Sequence, residues 1–368
     1  QGLFGCFFGH SQASPIGMPV PDDEPPAKKP CVESADDEQA GAKVPPPPVI
    51  LDGGFGLELK KRKSEGRAVA YNLDLFSTAA LLETPDAVRE LHADYAAAGA
   101  NVLTTATFAV TKHFLSKTGQ GHMVKELARR AVKLAREAAT AAGSSTATVP
   151  PRVAGCVPPL SECYRVDLTL PAERLAEEYE ELTTAIAEGP GVDLWLCETM
   201  SSLREAEAAV IACKKADPSI PVWAAFVLRR SPQGGRAEVM DGTALSEVVK
   251  FVKRSSVEAL LFNCSTPQLI GDALALLKEE PTEGLLLGGY GNFWEEHKPG
   301  WSIDQQESEP GKGDIKASGL QVRDITVEDY VSSTCQWASS GACILGGCCG
   351  IGPGHIRAVA AAFAKRRR

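Results

Sequence analysis

Residues 193–217 read DLWLCETMSSLREAEAAVIACKKAD. The first seven form a short, mostly apolar run. From Leu203 onward the apolar residues fall at helical spacing. One strand followed by one amphipathic helix is half of a repeating α/β unit, and the chain repeats it. From residue 49 the apolar runs are VILDGG, NVLTTATF, RVAGCVPP, DLWLCET, VWAAFVL, ALLFNCS, LLLGGYGN and CILGGCC. Most are followed by an amphipathic stretch. In HMVKELARRAVKLAREAAT, residues Val124, Leu127, Ala131, Leu134, Ala135 and Ala138 align along one stripe. The run AERLAEEYEELTTAIAEG behaves alike, with Gly189 as its stop. Eight such units predict an α/β fold, a single (β/α)8 TIM barrel, typically ~250 residues plus insertions. A doubly wound sheet shares the alternation and is the competing arrangement.

The barrel domain is expected over residues 48–368. Residues 1–47 form a low-complexity, disordered tail: PDDEPP, ESADDEQAGA and the polyproline at 45–48 cannot bury enough apolar surface to offset ordering. Residues 298–324, polar and glycine-bearing, make a long insertion after the seventh strand, on the face that carries barrel active sites. The terminal KRRR complements the dipole of the last helix. A net charge of −9 argues against nucleic acid or an anionic membrane as partner. Eleven cysteines without a regular framework favour free thiols in the cytoplasm over disulfides. The opening QGLFGCFFGH is apolar but lacks a basic start and is too short for a convincing signal peptide; organellar targeting by this segment is the rival reading to the cytoplasm.

In the barrel register, chemistry-bearing residues gather at strand C-terminal ends: Asp52, Thr105, Glu198, Cys264, Asn292 and the pair Cys348–Cys349. A barrel makes that list one ring around a single mouth. Three cysteines supply soft thiolates and leave a fourth tetrahedral position open, as a catalytic zinc requires. The adjacent pair reaches one ion if Gly346, Gly347 and Gly350 turn the chain. A buried Cys264 and a vicinal disulfide between Cys348 and Cys349 are the competing readings. Cys156, Cys163, Cys197, Cys213, Cys335 and Cys343 carry no ligand spacing and read as structural.

LDGGFGLEL, residues 51–59, starts like a dinucleotide fingerprint but ends on Leu59 and lacks the later acidic residue. Amides of Gly53 and Gly54 beside Asp52 would instead read the carboxylate and ammonium of an amino acid; a tight strand-to-helix turn is the plainer use. Glu198 ends an apolar strand, where an ionised carboxylate needs a cationic partner. Capping by Thr199 or Ser201 is the alternative account of its surroundings.

With these residues in view, residues 49–365 resemble the homocysteine S-methyltransferase family. The landmarks stand in order: LDGGFGLELKKR, AGANVLTTATF, VAGCVPPL, DLWLCETMSSLREAEAAV, FNCSTP and ILGGCCGIGPGHIRAV. The resemblance implies Zn2+ held by Cys264, Cys348 and Cys349. It implies that Asp52 and Glu198 engage the homocysteine ammonium, that amides near Gly53 and Gly54 receive its carboxylate, and that Thr105 lies close by. Asn292 joins the expected substrate-binding set. The partners it implies are homocysteine and a small methyl donor. Betaine-using members hold their donor in an aromatic cage. Here Phe76 stands for a Trp and Ala109 for a Tyr, which favours a sulfonium donor, S-methylmethionine or S-adenosylmethionine. A betaine-type donor, selenocysteine as acceptor, and a non-catalytic zinc-binding barrel are the rival readings.

Overall fold

The computed structural model describes residues 46–146, 149–296 and 325–364. The 298–324 insertion, the terminal KRRR and nearly all of the expected tail lie outside them. Eight parallel strands form the sheet: β1 Val49–Ile50, β2 Val102–Thr104, β3 Arg152–Val157, β4 Leu194–Met200, β5 Val222–Phe226, β6 Ala259–Asn263, β7 Leu286–Gly291 and β8 Ile344–Gly347. Their spatial order is β1-β8-β7-β6-β5-β4-β3-β2, sequential around a circle. The circle closes through a parallel bridge between Leu51 and Val102. Asp52 donates its N–H to the Val102 carbonyl there, at 3.1 Å. A doubly wound sheet stays open, so the closed sequential order decides for the (β/α)8 barrel.

Strand alternation sorts the apolar residues into two cores. Leu51, Val102, Ala154, Leu194, Leu196, Trp223, Ala225, Leu261, Tyr290 and Ile344 fill the barrel interior. Their neighbours, among them Trp195, Cys197, Leu260, Phe262 and Leu345, face the outer helices. The helix Val124–Thr146 lays its expected stripe onto the barrel: all six predicted positions are buried. The helix Ala172–Ala187 ends as predicted, where Gly189 donates its N–H to the Ile186 carbonyl. Two short antiparallel strands, Leu228–Arg230 and Ala237–Val239, extend the loop after β5. Among the described residues no helix is long and apolar enough to cross a membrane.

β1 is only two residues long, and its seam with β2 is a single bridge. Side chains complete it. Ile50 donates its N–H to Asn101 Oδ1 at 2.9 Å. Thr104 donates its N–H to Asp52 Oδ2 at 2.7 Å and its hydroxyl to Oδ1 at 2.8 Å. The Asp52 carboxylate thus takes the place of a ladder carbonyl.

Candidate active site

The strand C-terminal ends surround a cavity of about 190 Å³. It is lined by all three candidate cysteines and by Asp52, Gly53, Gly54, Thr105 and Glu198. Asn292 is not among the residues that line it. Its side chain is buried at the end of β7 and accepts the N–H of Trp294 at 3.2 Å, and Trp294 reaches the cavity instead.

The three sulfurs lie within 4.8 Å of one another. Cys264 and Cys348 are 2.6 Å apart, Cys348 and Cys349 4.0 Å. Backbone geometry explains how sequence-distant and adjacent thiols meet. Asn263 points inward on β6, so simple alternation would turn Cys264 outward. Instead Cys264 adopts φ +47°, the left-handed region that non-glycine residues rarely enter, and its thiol turns toward Cys348. At β8, Gly350 makes the turn with φ +85°. The other two glycines serve differently from the expectation. A Cβ on Gly346 would stand 2.5 Å from Leu51 Cβ, and one on Gly347 2.2 Å from Ile351, so they permit close approach, not an unusual turn.

This donor set fits zinc. Three thiolates with an open side are a catalytic arrangement, and tetrahedral sulfurs ~2.3 Å from one ion stand ~3.8 Å apart. Cys348 and Cys349 already match that spacing; Cys264 sits closer to Cys348 than a shared ion would leave it. Without a cation, mutual hydrogen bonding of the thiols and their burial hold the Cys264 thiol well above its usual pKa. A compact cation is the group that reverses that preference.

Two carboxylates face the same cavity. Asp52 is buried, and burial pushes its pKa up to about 8 against the pull of the Thr104 hydrogen bonds, with the Glu198 charge adding to the rise. Burial likewise lifts Glu198 to about 7, although two donors oppose it. Cys156 donates its thiol to Glu198 Oε1 at 2.8 Å, and Tyr290 donates its hydroxyl to Oε2 at 3.3 Å. Both donors escape the sequence reading. Cys156, read as structural, shares the inward face of β3 with Ala154, and Tyr290 shares that of β7 with Gly288. Alternation was the signal available for each.

Glu198 reaches the cavity by alternation, on the inward face it shares with Leu194 and Leu196, and β4 becomes irregular around it. Cys197 pairs with Ala224 and Met200 with Phe226, so two residues of β4 oppose one of β5. The bulge turns on Thr199, at φ +61°. Neither Thr199 nor Ser201 caps the next helix: Ser202 does, accepting the N–H of Glu205.

Gly54 also departs from expectation. Its N–H donates to the Ile351 carbonyl at 3.0 Å and is therefore already engaged. A Cβ there would lie 2.6 Å from the Cys348 carbonyl, so glycine brings the first loop against the cysteine turn. Thr105 Oγ1 accepts the Cys156 N–H at 2.9 Å and shares a hydrogen bond with Thr107 at 3.0 Å. Tyr71, Phe76, Phe108, Tyr164 and Trp294 give the wall much aromatic surface, beside aliphatic residues and Lys60. Ala109 is buried outside it. The aromatic surface expected to be thinned at Phe76 and Ala109 is supplied from other positions.

A family model described as homocysteine S-methyltransferase matches residues 49–363. The chain is 27% identical over 335 residues to a selenocysteine methyltransferase of Astragalus bisulcatus, covering 84% of this chain and 90% of that one. It is 26% identical to the homocysteine S-methyltransferase YbgG of Bacillus subtilis, covering 85% and 93%. Among solved structures, the metallated form of the homocysteine methyltransferase MmuM from Escherichia coli superposes with a TM-score of 0.66. It shares 27% identity over 86% of this chain and 96% of that one.

Proposed function

The chain belongs to the homocysteine S-methyltransferase family, and from that premise we propose that it methylates the thiol of L-homocysteine with a sulfonium donor, forming methionine at a zinc ion held by Cys264, Cys348 and Cys349. The observation that carries this reading is the convergence of three sulfurs within 4.8 Å in the wall of a cavity that also presents two carboxylates. Bound there, zinc would supply an open position at which a thiol loses its proton yet stays nucleophilic.

The protein's own groups do the rest. Asp52 and Glu198 receive the substrate ammonium, whose charge repays the cost of ionising two carboxylates in a buried site. Gly53 leaves backbone exposed beside them for the substrate carboxylate. Thr105 fixes the Cys156 backbone, and Cys156 with Tyr290 fixes the Glu198 carboxylate. The aromatic wall suits a methyl donor bearing a positive charge. In the reaction the donor's S–CH3 bond breaks as the new S–CH3 bond forms. Sulfonium and thiol become two neutral thioethers, and the thiol proton leaves to solvent. Excluding water favours such charge-dispersing transfer, and holding the two sulfurs in line with the methyl carbon supplies proximity. No disulfide joins the nine described cysteines to one another, which supports a reducing compartment such as the cytoplasm.

The test is methionine formation from homocysteine with S-methylmethionine, S-adenosylmethionine and betaine in parallel, alongside metal analysis. Purified protein should carry about one zinc per chain, the content of a single open three-thiolate site. Folded protein that retains no zinc and transfers no methyl group would overturn the proposal. The likeness to a selenocysteine methyltransferase supports a second acceptor reading. Competition between the selenol and homocysteine decides it.

A further inference from the structure

Three non-glycine residues of the cavity wall have positive φ, Phe76, Thr199 and Cys264, and two of them follow inward-facing strand residues: Thr199 at +61°, directly after Glu198, and Cys264 at +47°, directly after Asn263. A β-branched residue in that region is an outlier that the surrounding structure must hold in place. One side chain joins the two. Asn263, fully buried, accepts the Thr199 N–H on Oδ1 at 3.0 Å and donates from Nδ2 to Thr199 Oγ1 at 2.8 Å. This two-point grip spans β4 and β6, which are not neighbours in the sheet, since β5 lies between them.

Each strained turn adjoins a chemical group. Glu198 faces the cavity with Leu194 and Leu196, and the bulge at Thr199, directly after it, sends Met200 to the outer core instead of the same face. The turn after Asn263 carries Cys264 to the inside. Further bonds hold the far side of that turn. Tyr164 donates its hydroxyl to the Cys264 carbonyl at 3.0 Å, and Ser265 Oγ donates to the Asn263 carbonyl at 2.9 Å and accepts the Leu228 N–H at 2.9 Å.

We infer that Asn263 and Thr199 form a positioning clamp that fixes Glu198, on the amino-group side of the substrate, and Cys264, on the sulfur side, as one rigid unit. Neither residue carries out the chemistry. Asn263 turns two separately strained loops into a single arrangement, so the spacing between the ammonium site and the thiol site is set before substrate arrives. The amide is suited to this because it carries a donor and an acceptor on two separate atoms, where a hydroxyl has both on one oxygen and a carboxylate only accepts.

The inference rests on the proposed zinc and homocysteine site, and the experiment separates the two. Zinc affinity is measured by chelator competition, KM for homocysteine at saturating zinc, and thermal unfolding on the metal-free protein. Asn263→Ala should weaken zinc binding about 10–100-fold, the usual effect of losing support behind a ligand, and should also raise KM. Adding Thr199→Gly, for which φ +61° carries no steric cost, should recover part of both losses. A variant that melts earlier but binds zinc as wild type does, or that loses zinc affinity with KM unchanged, would overturn the clamp. Should Asn263→Ala fail to fold, Thr199→Val and Thr199→Gly decide. The clamp requires valine, which keeps the strain and loses the hydroxyl, to weaken zinc binding more than glycine does; equal affinities overturn it. Wild-type protein that holds no zinc removes the proposed function as well.

Discussion

Glu198 shows how a single residue acquires a role from its surroundings. Its carboxylate meets two donors, Cys156 and Tyr290, yet burial still holds its pKa near 7, and that of Asp52 near 8. Both lie above the unfolded values of 4.5 and 3.8. The unfolded chain therefore releases these protons first as pH rises, and the ligand-free protein loses stability between about pH 4 and pH 8. Melting temperature should fall from pH 5 to pH 7, and Glu198→Gln should flatten that slope; a rising slope would contradict the assignment. Homocysteine binding should show the opposite trend, tightening from pH 6 to pH 8 as both groups ionise. Glu198→Gln should weaken it roughly 10–100-fold, the worth of a charged hydrogen bond of about 1.5–3 kcal/mol, as read by calorimetry. The sequence makes Glu198 visible because a lone carboxylate closes an apolar strand. Its donors are less legible, since a thiol and a phenol on two other strands look like ordinary core residues until the register is known.

At the level of elements, the loops after the strands carry the information that periodicity does not. Alternation predicts where each strand's side chains point, and it fails where the site is built: at Thr199, at Cys264 and at the turn through Gly350. These exceptions are local backbone choices, fixed by partners far away in sequence, so no window of residues contains them. The Cys348–Cys349 pair is readable as a turn because glycines flank it, but only the structure separates the glycine that turns from those that make room. A Cβ on Gly350 would fall 1.4 Å from Phe293 Cδ1, and the Phe293 N–H donates to the Cys349 carbonyl at 3.2 Å. Gly350→Ala should therefore displace Cys349 and cost about 1–3 kcal/mol through overpacking. Weaker zinc retention in dialysis, together with a lower melting temperature, is the expected result.

For the whole molecule, the repeat of short apolar runs and amphipathic helices pointed to a barrel, because eight strand–helix units leave few ways to bury their faces, and the closed strand order excludes the doubly wound alternative. The two cores, one inside the strands and one beneath the helices, do not depend on the sulfur cluster. Chelation should accordingly abolish methyl transfer while far-UV circular dichroism at 25 °C stays unchanged. The melting temperature should drop only by what ligand linkage removes. Collapse of the fold on chelation would mark the metal as structural instead.

The shortness of β1 has a further consequence. Where a longer strand would offer a carbonyl, the Thr104 amide is held by Asp52, a group that titrates and is proposed to meet the substrate. That amide is a built-in reporter. Its exchange with deuterium should be slowest when the carboxylate is ionised and an ammonium holds it in place, and faster in the empty barrel. Residue-resolved exchange at this one position would register occupancy of the amino-group end without following any methyl group.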